Sequence, residues 1–244
     1  MSKNLKDEII QSLIDQKEIF GDVLFEENII KTRKTEIINN TVAMEDTLFK
    51  EDWELTDNLE DLNRLICECQ KCPLGETRNK FVFGTGNPNA DAMCIGEGPG
   101  ADEDAQGLPF VGRAGRLLTD ILKAIKFERE EVYIANVVKC RPPGNRTPLP
   151  GEMDTCLPYL KKQIELIRPK VILCLGLTAA QGLLKKRDSL TNMRGKVFDF
   201  DSDGFITKVM VTYHPAALLR NPNWKRGCWE DVQKFRKLYD ELTN

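Results

Sequence analysis

From residue 92 onward the apolar and polar positions follow two alternating habits. Short apolar runs, AMCIG (92–96), VYIANVVK (132–139), KVILCLG (170–176) and ITKVMVTY (206–213), have the length and residue types of strands buried on both faces. Between and after them lie RAGRLLTDILKAIKF (113–127), EMDTCLPYLKKQIELI (152–167), LTAAQGLLKK (177–186) and a last segment around 223–242, which read as amphipathic helices. Strand and helix alternation at this pitch predicts a doubly wound α/β fold, a three-layer α/β/α sandwich around a central, mostly parallel sheet. A further helix is expected in DNLEDLNRLICECQKC, with Asp57 or Asn58 as N-cap and Leu59, Leu62, Leu65 and Ile66 on one face.

Residues 3–20 also carry helical apolar spacing, but 21–53 hold no sustained period. The expected organisation is an N-terminal extension over 1–55, partly helical or flexible, followed by one domain over 56–244. In open α/β sheets, ligands bind outside the carboxyl ends of the strands. That rule puts GEGPG (96–100), the surroundings of Asn136 and the turn VTYHPAA (211–217) at one edge of the sheet.

Composition sharpens this picture. A chain of 244 residues, 41% hydrophobic and 30% charged, buries one sizeable core. Its start has no apolar signal-peptide core, and no apolar run approaches the ~20 residues of a membrane span, so a soluble cytoplasmic protein is expected. The net charge of −3 is uneven: residues 1–54 hold 13 acids against 7 bases, leaving 25 acids against 28 bases in the rest. From Gly204 to Trp229 there is no acid, while Lys208, Arg220, Lys225 and Arg226 are present, a local positive surface compatible with phosphates.

Eight cysteines without a signal peptide point to metal binding, catalysis or burial rather than to disulfides. Cys69 and Cys72 form a C-x2-C chelate, and Cys140 and Cys156 flank a Pro- and Gly-rich stretch; four such thiolates suit zinc or an iron–sulfur cluster. Cys94 and Cys174 lie in apolar runs, Cys228 in the last helix and Cys67 beside the chelate, where burial or surface placement accounts for them. The loop IGEGPGADEDAQGLPFVGRAGRLL (95–118) has the glycines of a phosphate loop but neither the Walker pattern nor GxGxxG. Its acids Glu97, Asp102, Glu103 and Asp104 would repel phosphate and suit a neutral ligand or a positioned water, or else a turn with solvated acids. His214 is the only histidine.

GEGPGADEDAQGLPFVGRAG (96–115), NVVKCRPPGNRTPLPGE (136–152), Cys156 and HPAALLRNP (214–222), in that order, resemble the family-4 uracil-DNA glycosylases, the iron–sulfur branch of their superfamily. The resemblance covers roughly residues 57–244. It implies a [4Fe-4S] cluster on Cys69, Cys72, Cys140 and Cys156, and uracil-containing DNA, single- or double-stranded, as the partner. It assigns Phe110 to stack on a flipped base, Asn136 to pair with uracil's Watson–Crick edge and Glu103 to crowd the C5 position of the base. Gly98 allows close backbone approach, Glu97 serves the sugar or a water, and His214 donates to the leaving uracil. Leu218, Leu219 or Arg220 is a candidate wedge for the gap in the stack, with leucines packing under the last helix as the alternative. With no second histidine, the covalent cross-linking chemistry of some uracil-binding relatives is excluded. A glycosylase for a wider range of deaminated bases and a non-catalytic, polymerase-associated uracil-binding module are the alternatives in function.

Overall fold

Four parallel strands form where unbroken apolar runs stand in the chain, in a computed structural model that describes residues 50–243. Strands β1 (Thr85–Gly86), β2 (Ala92–Gly96), β3 (Tyr133–Asn136), β4 (Val171–Leu175), β5 (Val197–Ser202) and β6 (Phe205–Thr212) make one sheet, ordered β1-β3-β2-β4-β6-β5. The central four are parallel, and the edge strands β1 and β5 pair antiparallel with β3 and β6. Nine helices accompany them among the described residues: α1 (Leu59–Ile66), α2 (Leu74–Thr77), α3 (Ala101–Gln106), α4 (Arg113–Ala124), α5 (Pro150–Ile167), α6 (Leu177–Leu184), α7 (Leu190–Met193), α8 (Pro215–Arg220) and α9 (Lys225–Thr243). None is long and apolar enough to cross a membrane. The compact unit begins at Asp52. The expected extension lies almost wholly outside the described residues.

The period-2 geometry of the strands divides their side chains between two cores, which makes the three layers. Met93, Ile95, Ile172, Cys174, Val209 and Val211 pack with Leu62 and Ile66 of α1, Leu160 and Ile164 of α5 and Leu183 of α6. Cys94, Ile134, Leu173 and Met210 pack instead with Leu118 and Leu122 of α4 and Val232 and Phe235 of α9. Both sheet faces are covered, so these strands read as continuous apolar runs.

Three local expectations change. In α1 the N-cap is Asn58, one of the two expected, its side chain accepting from the Asp61 amide at 2.8 Å; what changes is the buried face, since only Leu62 and Ile66 are buried and Leu65 is 46% exposed. Strand β5 was not expected, because VFDFDS is half polar. It forms because Asp203 and Gly204 both take positive φ (53° and 81°) and close a two-residue hairpin onto β6. Residues after His214, expected as a loop, are the helix α8, with Pro215 at its first position and His214 as N-cap.

Candidate active site

The carboxyl ends of β2, β3 and β6 open into a cleft of about 410 Å³. Its walls include Glu97, Gly98, Glu103, Phe110, Asn136 and His214, so the six pocket residues expected from sequence come together at one edge of the sheet.

Asn136 ends β3 and is 1% exposed. Its Oδ1 is buried and has no hydrogen-bond partner among the described residues. A buried acceptor without a donor costs about 1–3 kcal/mol, so it is an open valence for a ligand. Gly96, opposite it on β2, is what leaves the space: a Cβ there would run into the Asn136 amide oxygen and lie 2.6 Å from the Phe110 ring. Gly98 likewise has Val138 2.6 Å from where a Cβ would stand.

Phe110 sits at φ 54°, a left-handed conformation that a bulky residue adopts only under constraint. The constraints are visible. One Glu103 carboxylate oxygen accepts from the amides of Val111 (3.0 Å) and Gly112 (3.1 Å), and the other from Gly100 (3.1 Å). Arg129 donates to the Pro109 carbonyl at 2.8 Å, and the backbone of Gly115 lies against that of Phe110 too closely for any side chain. Glu103 therefore lines the cleft while its charge is spent on three backbone amides. Asp104 is also no solvated acid: it is buried and accepts from the Asn79 amide (2.8 Å), the Asn79 side chain (2.6 Å) and the Lys80 amide (3.3 Å). Of the acids expected at the mouth, Glu97 is a half-buried wall residue whose carboxylate makes no hydrogen bond or ion pair with the described residues.

His214 follows β6, and its Nδ1 accepts from the Ala216 amide at 3.1 Å. That bond requires an unprotonated Nδ1, so the neutral ring carries its proton on Nε2. Desolvation first, then the charge of Arg220, pushes its pKa down to about 4 against the pull of Glu103; the imidazole is neutral at physiological pH. Its ring lies 5.6 Å from that of Phe110, tilted by 32°. Gly176, at φ 95°, makes room behind it, with a Cβ position 3.1 Å from that of His214. Below, Thr212 donates to the buried Asp231 at 2.9 Å, and Arg194 pairs with the same carboxylate at 3.0 Å. Among the wedge candidates, Leu218 is 1% exposed and belongs to the core against α4 and α9, while Leu219 is exposed and Arg220, also exposed, lines the cleft.

The second cluster lies where β3 runs on into the loop before α5. Cys69 accepts from the Tyr159 hydroxyl (3.2 Å), Cys140 from Arg78 (3.4 Å) and Cys156 from the Lys139 amide (3.3 Å). Cys140 feels the charges of Cys69 and Cys72, and Cys156 those of Cys140 and Cys72. The four thiols thus share one neighbourhood, although no three His, Cys, Asp or Glu side chains among the described residues are arranged to hold a single metal ion. Burial pushes the Cys156 thiol up to about 12, opposed by Lys139. Lys139 is fully buried and donates through Nζ to the Asn136 carbonyl (3.0 Å) and to Gln163 (2.5 Å), tying the two clusters together. Cys94, Cys174 and Cys228 are buried, and Cys67 is partly exposed.

The uracil DNA glycosylase superfamily model matches residues 83–240. The chain belongs to this superfamily. Among its curated relatives, the type-4 uracil-DNA glycosylase of Archaeoglobus fulgidus is 45% identical over 186 residues, covering 75% of this chain and 94% of the relative. The type-4 uracil-DNA glycosylase of Thermotoga maritima is 45% identical over 183 residues (74% and 94%), and that of Sulfurisphaera tokodaii 44% over 187 (75% and 85%). Within this glycosylase, sequence reasoning missed Gly96, Gly115 and Arg129. Gly96 carried a signal, since it closes an apolar strand directly before the cleft. Gly115 and Arg129 act on Phe110 across 5 and 19 residues, which no local pattern encodes.

Proposed function

We propose that this chain is a monofunctional, cytoplasmic uracil-DNA glycosylase: it turns uracil out of single- or double-stranded DNA, hydrolyses the N-glycosidic bond, and leaves free uracil and an abasic site for repair. The carrying observation is the Oδ1 of Asn136, without a hydrogen-bond partner among the described residues and buried on the cleft wall near Phe110. Uracil N3–H donates to that oxygen while uracil O4 accepts from the amide nitrogen. Cytosine sets acceptor against acceptor and donor against donor, and is rejected. A base must leave the duplex stack to reach such a wall, and Phe110, held in its constrained conformation, offers the face to receive it. The carboxylate of Glu103, fixed by three amides, stands where thymine's methyl would fall.

As the C1′–N1 bond lengthens, its electron pair moves into the uracil ring and positive charge grows on the sugar. Nε2–H of neutral His214 donates to uracil O2, an interaction that strengthens as the anion forms. Glu97, with no hydrogen-bond or ion-pair partner among the described residues, offsets the sugar charge and holds the water that adds to C1′. Among the described residues the cleft lining includes no lysine, and hence no amine to form a Schiff base with the sugar and break the strand. This supports an abasic product.

The four cysteines fit a [4Fe-4S] cluster. Cys69, Cys72, Cys140 and Cys156, four thiols in one neighbourhood, would hold such a cluster as thiolates. The Tyr159, Arg78 and Lys139 donors suit sulfurs carrying negative charge. When bound, the cluster would supply a structural staple joining residues 69–72 to the loop after Asn136, with no redox step.

The test is incubation of brown, cluster-loaded protein with uracil-containing single-stranded and duplex oligonucleotides, followed by alkali. Alkali-dependent nicking at uracil is expected. Its absence overturns the glycosylase reading, nicking without alkali overturns the monofunctional one, and a colourless zinc protein overturns the cluster.

A further inference from the structure

The strand, turn and helix that seat His214 carry a second feature that the base pocket does not use. Tyr213, directly before His214, stacks on Trp224 with ring centroids 5.1 Å apart and planes 19° from parallel. Tyr213 is itself held: the Arg194 guanidinium packs on its ring at 4.9 Å and is anchored on buried Asp231. Trp224 stands on a single 3-10 turn (Pro222–Trp224) just beyond Arg220, which lines the cleft. With one face on Tyr213, Trp224 is still 42% exposed. An exposed, rigidly backed indole wins nothing for folding from its open surface. Along the chain around it the charge is one-sided: no acid occurs from Gly204 to Trp229, and Arg220, Lys225 and Arg226 are exposed; Glu230 is the first acid, 3.5 Å from Arg226.

A flat aromatic face among cations, beside a pocket that takes one nucleotide, matches the two chemistries of a nucleic-acid strand: stacking bases and phosphates. We propose that Trp224 is a stacking platform for one nucleobase of the uracil-bearing strand, a neighbour of the flipped nucleotide, with Lys225 and Arg226 on its phosphates. The platform rests on the glycosylase reading and adds a subsite to it. It accepts any base, because every base presents a π-face, and it offsets part of the stacking lost when the uracil leaves.

The test uses the full chain and single strands carrying one 2′-fluoro-deoxyuridine, whose glycosidic bond resists cleavage, with a tetrahydrofuran abasic residue moved through the three positions on either side. For the unmodified protein, affinity should fall about tenfold at one position and little at the others. Trp224→Ala should lose about tenfold on the intact strand and nothing further from the abasic residue at that position, while Trp224→Phe keeps most of the affinity and the dip. A flat scan with the unmodified protein overturns the platform, which keeps the test standing even if Trp224→Ala fails to fold. A dip that persists unchanged in folded Trp224→Ala overturns it too. Ordinary uracil strands run in parallel separate the failures: no excision by the unmodified protein defeats the glycosylase reading, whereas normal excision with a flat scan defeats the platform alone.

Discussion

The cleft and the cysteine cluster both hang from the end of β3, four residues apart at Asn136 and Cys140, yet they are built on opposite plans. Among the described residues the cleft keeps hydrogen-bonding capacity unspent: the Asn136 acceptor, the Nε2 donor of His214 and the carboxylate of Glu97. It also holds strain at Phe110. Around the cysteines the surplus is of donors, with Tyr159, Arg78 and the Lys139 amide on sulfur, and the buried indole nitrogen of Trp53, unpartnered among the described residues, in a ring packed 4.8 Å from that of Tyr159. A site for a transient neutral base must stay unsatisfied between turnovers. The proposed [4Fe-4S] cluster would be a resident anionic group, for which donors stand in place permanently. Lys139 spans the two, its amide on Cys156 and its Nζ on the Asn136 carbonyl.

The sharpest way to break this contrast is at the reacting bond. His214→Ala should lose about 10²–10³-fold in single-turnover excision and far less in affinity for uracil-containing DNA, since its donation belongs mainly to the transition state. Equal losses in rate and binding would remove it from that role. Next in size, Cys140→Ser should lose the brown colour and lower the thermal midpoint by about 10 °C, with unfolding followed by circular dichroism. A coloured protein of unchanged midpoint would mean that Cys140 is no ligand. Gly96→Ala tests the other side: the methyl pushes Asn136 and Phe110 apart, and excision should fall about tenfold or more while the colour stays. If colour and excision fell together, the two sites would not be separable.

The smallest effect is electrostatic. With one histidine, the imidazole gives one set of NMR signals, and these should titrate near 4, with the proton on Nε2 above that pH. The unfolded chain takes up this proton nearer 6.5, so His214 contributes stability that is lost as pH falls from about 6.5 to about 4. A midpoint near 6.5 would show a solvated ring and undo the neutral-donor assignment.

How much of this was legible varies by residue. Apolar runs announced the parallel strands because both sheet faces are covered, and the glycine-rich motif announced the cleft because backbone must approach a ligand there. Strand β5 was hidden by its half-polar edge position, although Asp203-Gly204 marked the turn. Leu65 carried the right period on the wrong side of α1, and Leu218 sat in a stretch that read as a loop until α8 turned it into the core.

By itself the sequence determined the layered α/β architecture, the motif order that marks the superfamily, and the candidates Glu97, Phe110, Asn136 and His214, because periodicity and motif order are local properties of the chain. Only the tertiary structure decided that Glu103 is consumed by backbone amides and Asp104 by Asn79 and the Lys80 amide, that Phe110 is forced into a left-handed conformation, and that His214 keeps its proton on Nε2. The Asp104 bonds and the Arg129 contact at Phe110 depend on groups that arrive from elsewhere in the fold, whereas the Glu103 and His214 bonds reach amides within nine residues and depend on backbone bends that only the folded chain fixes.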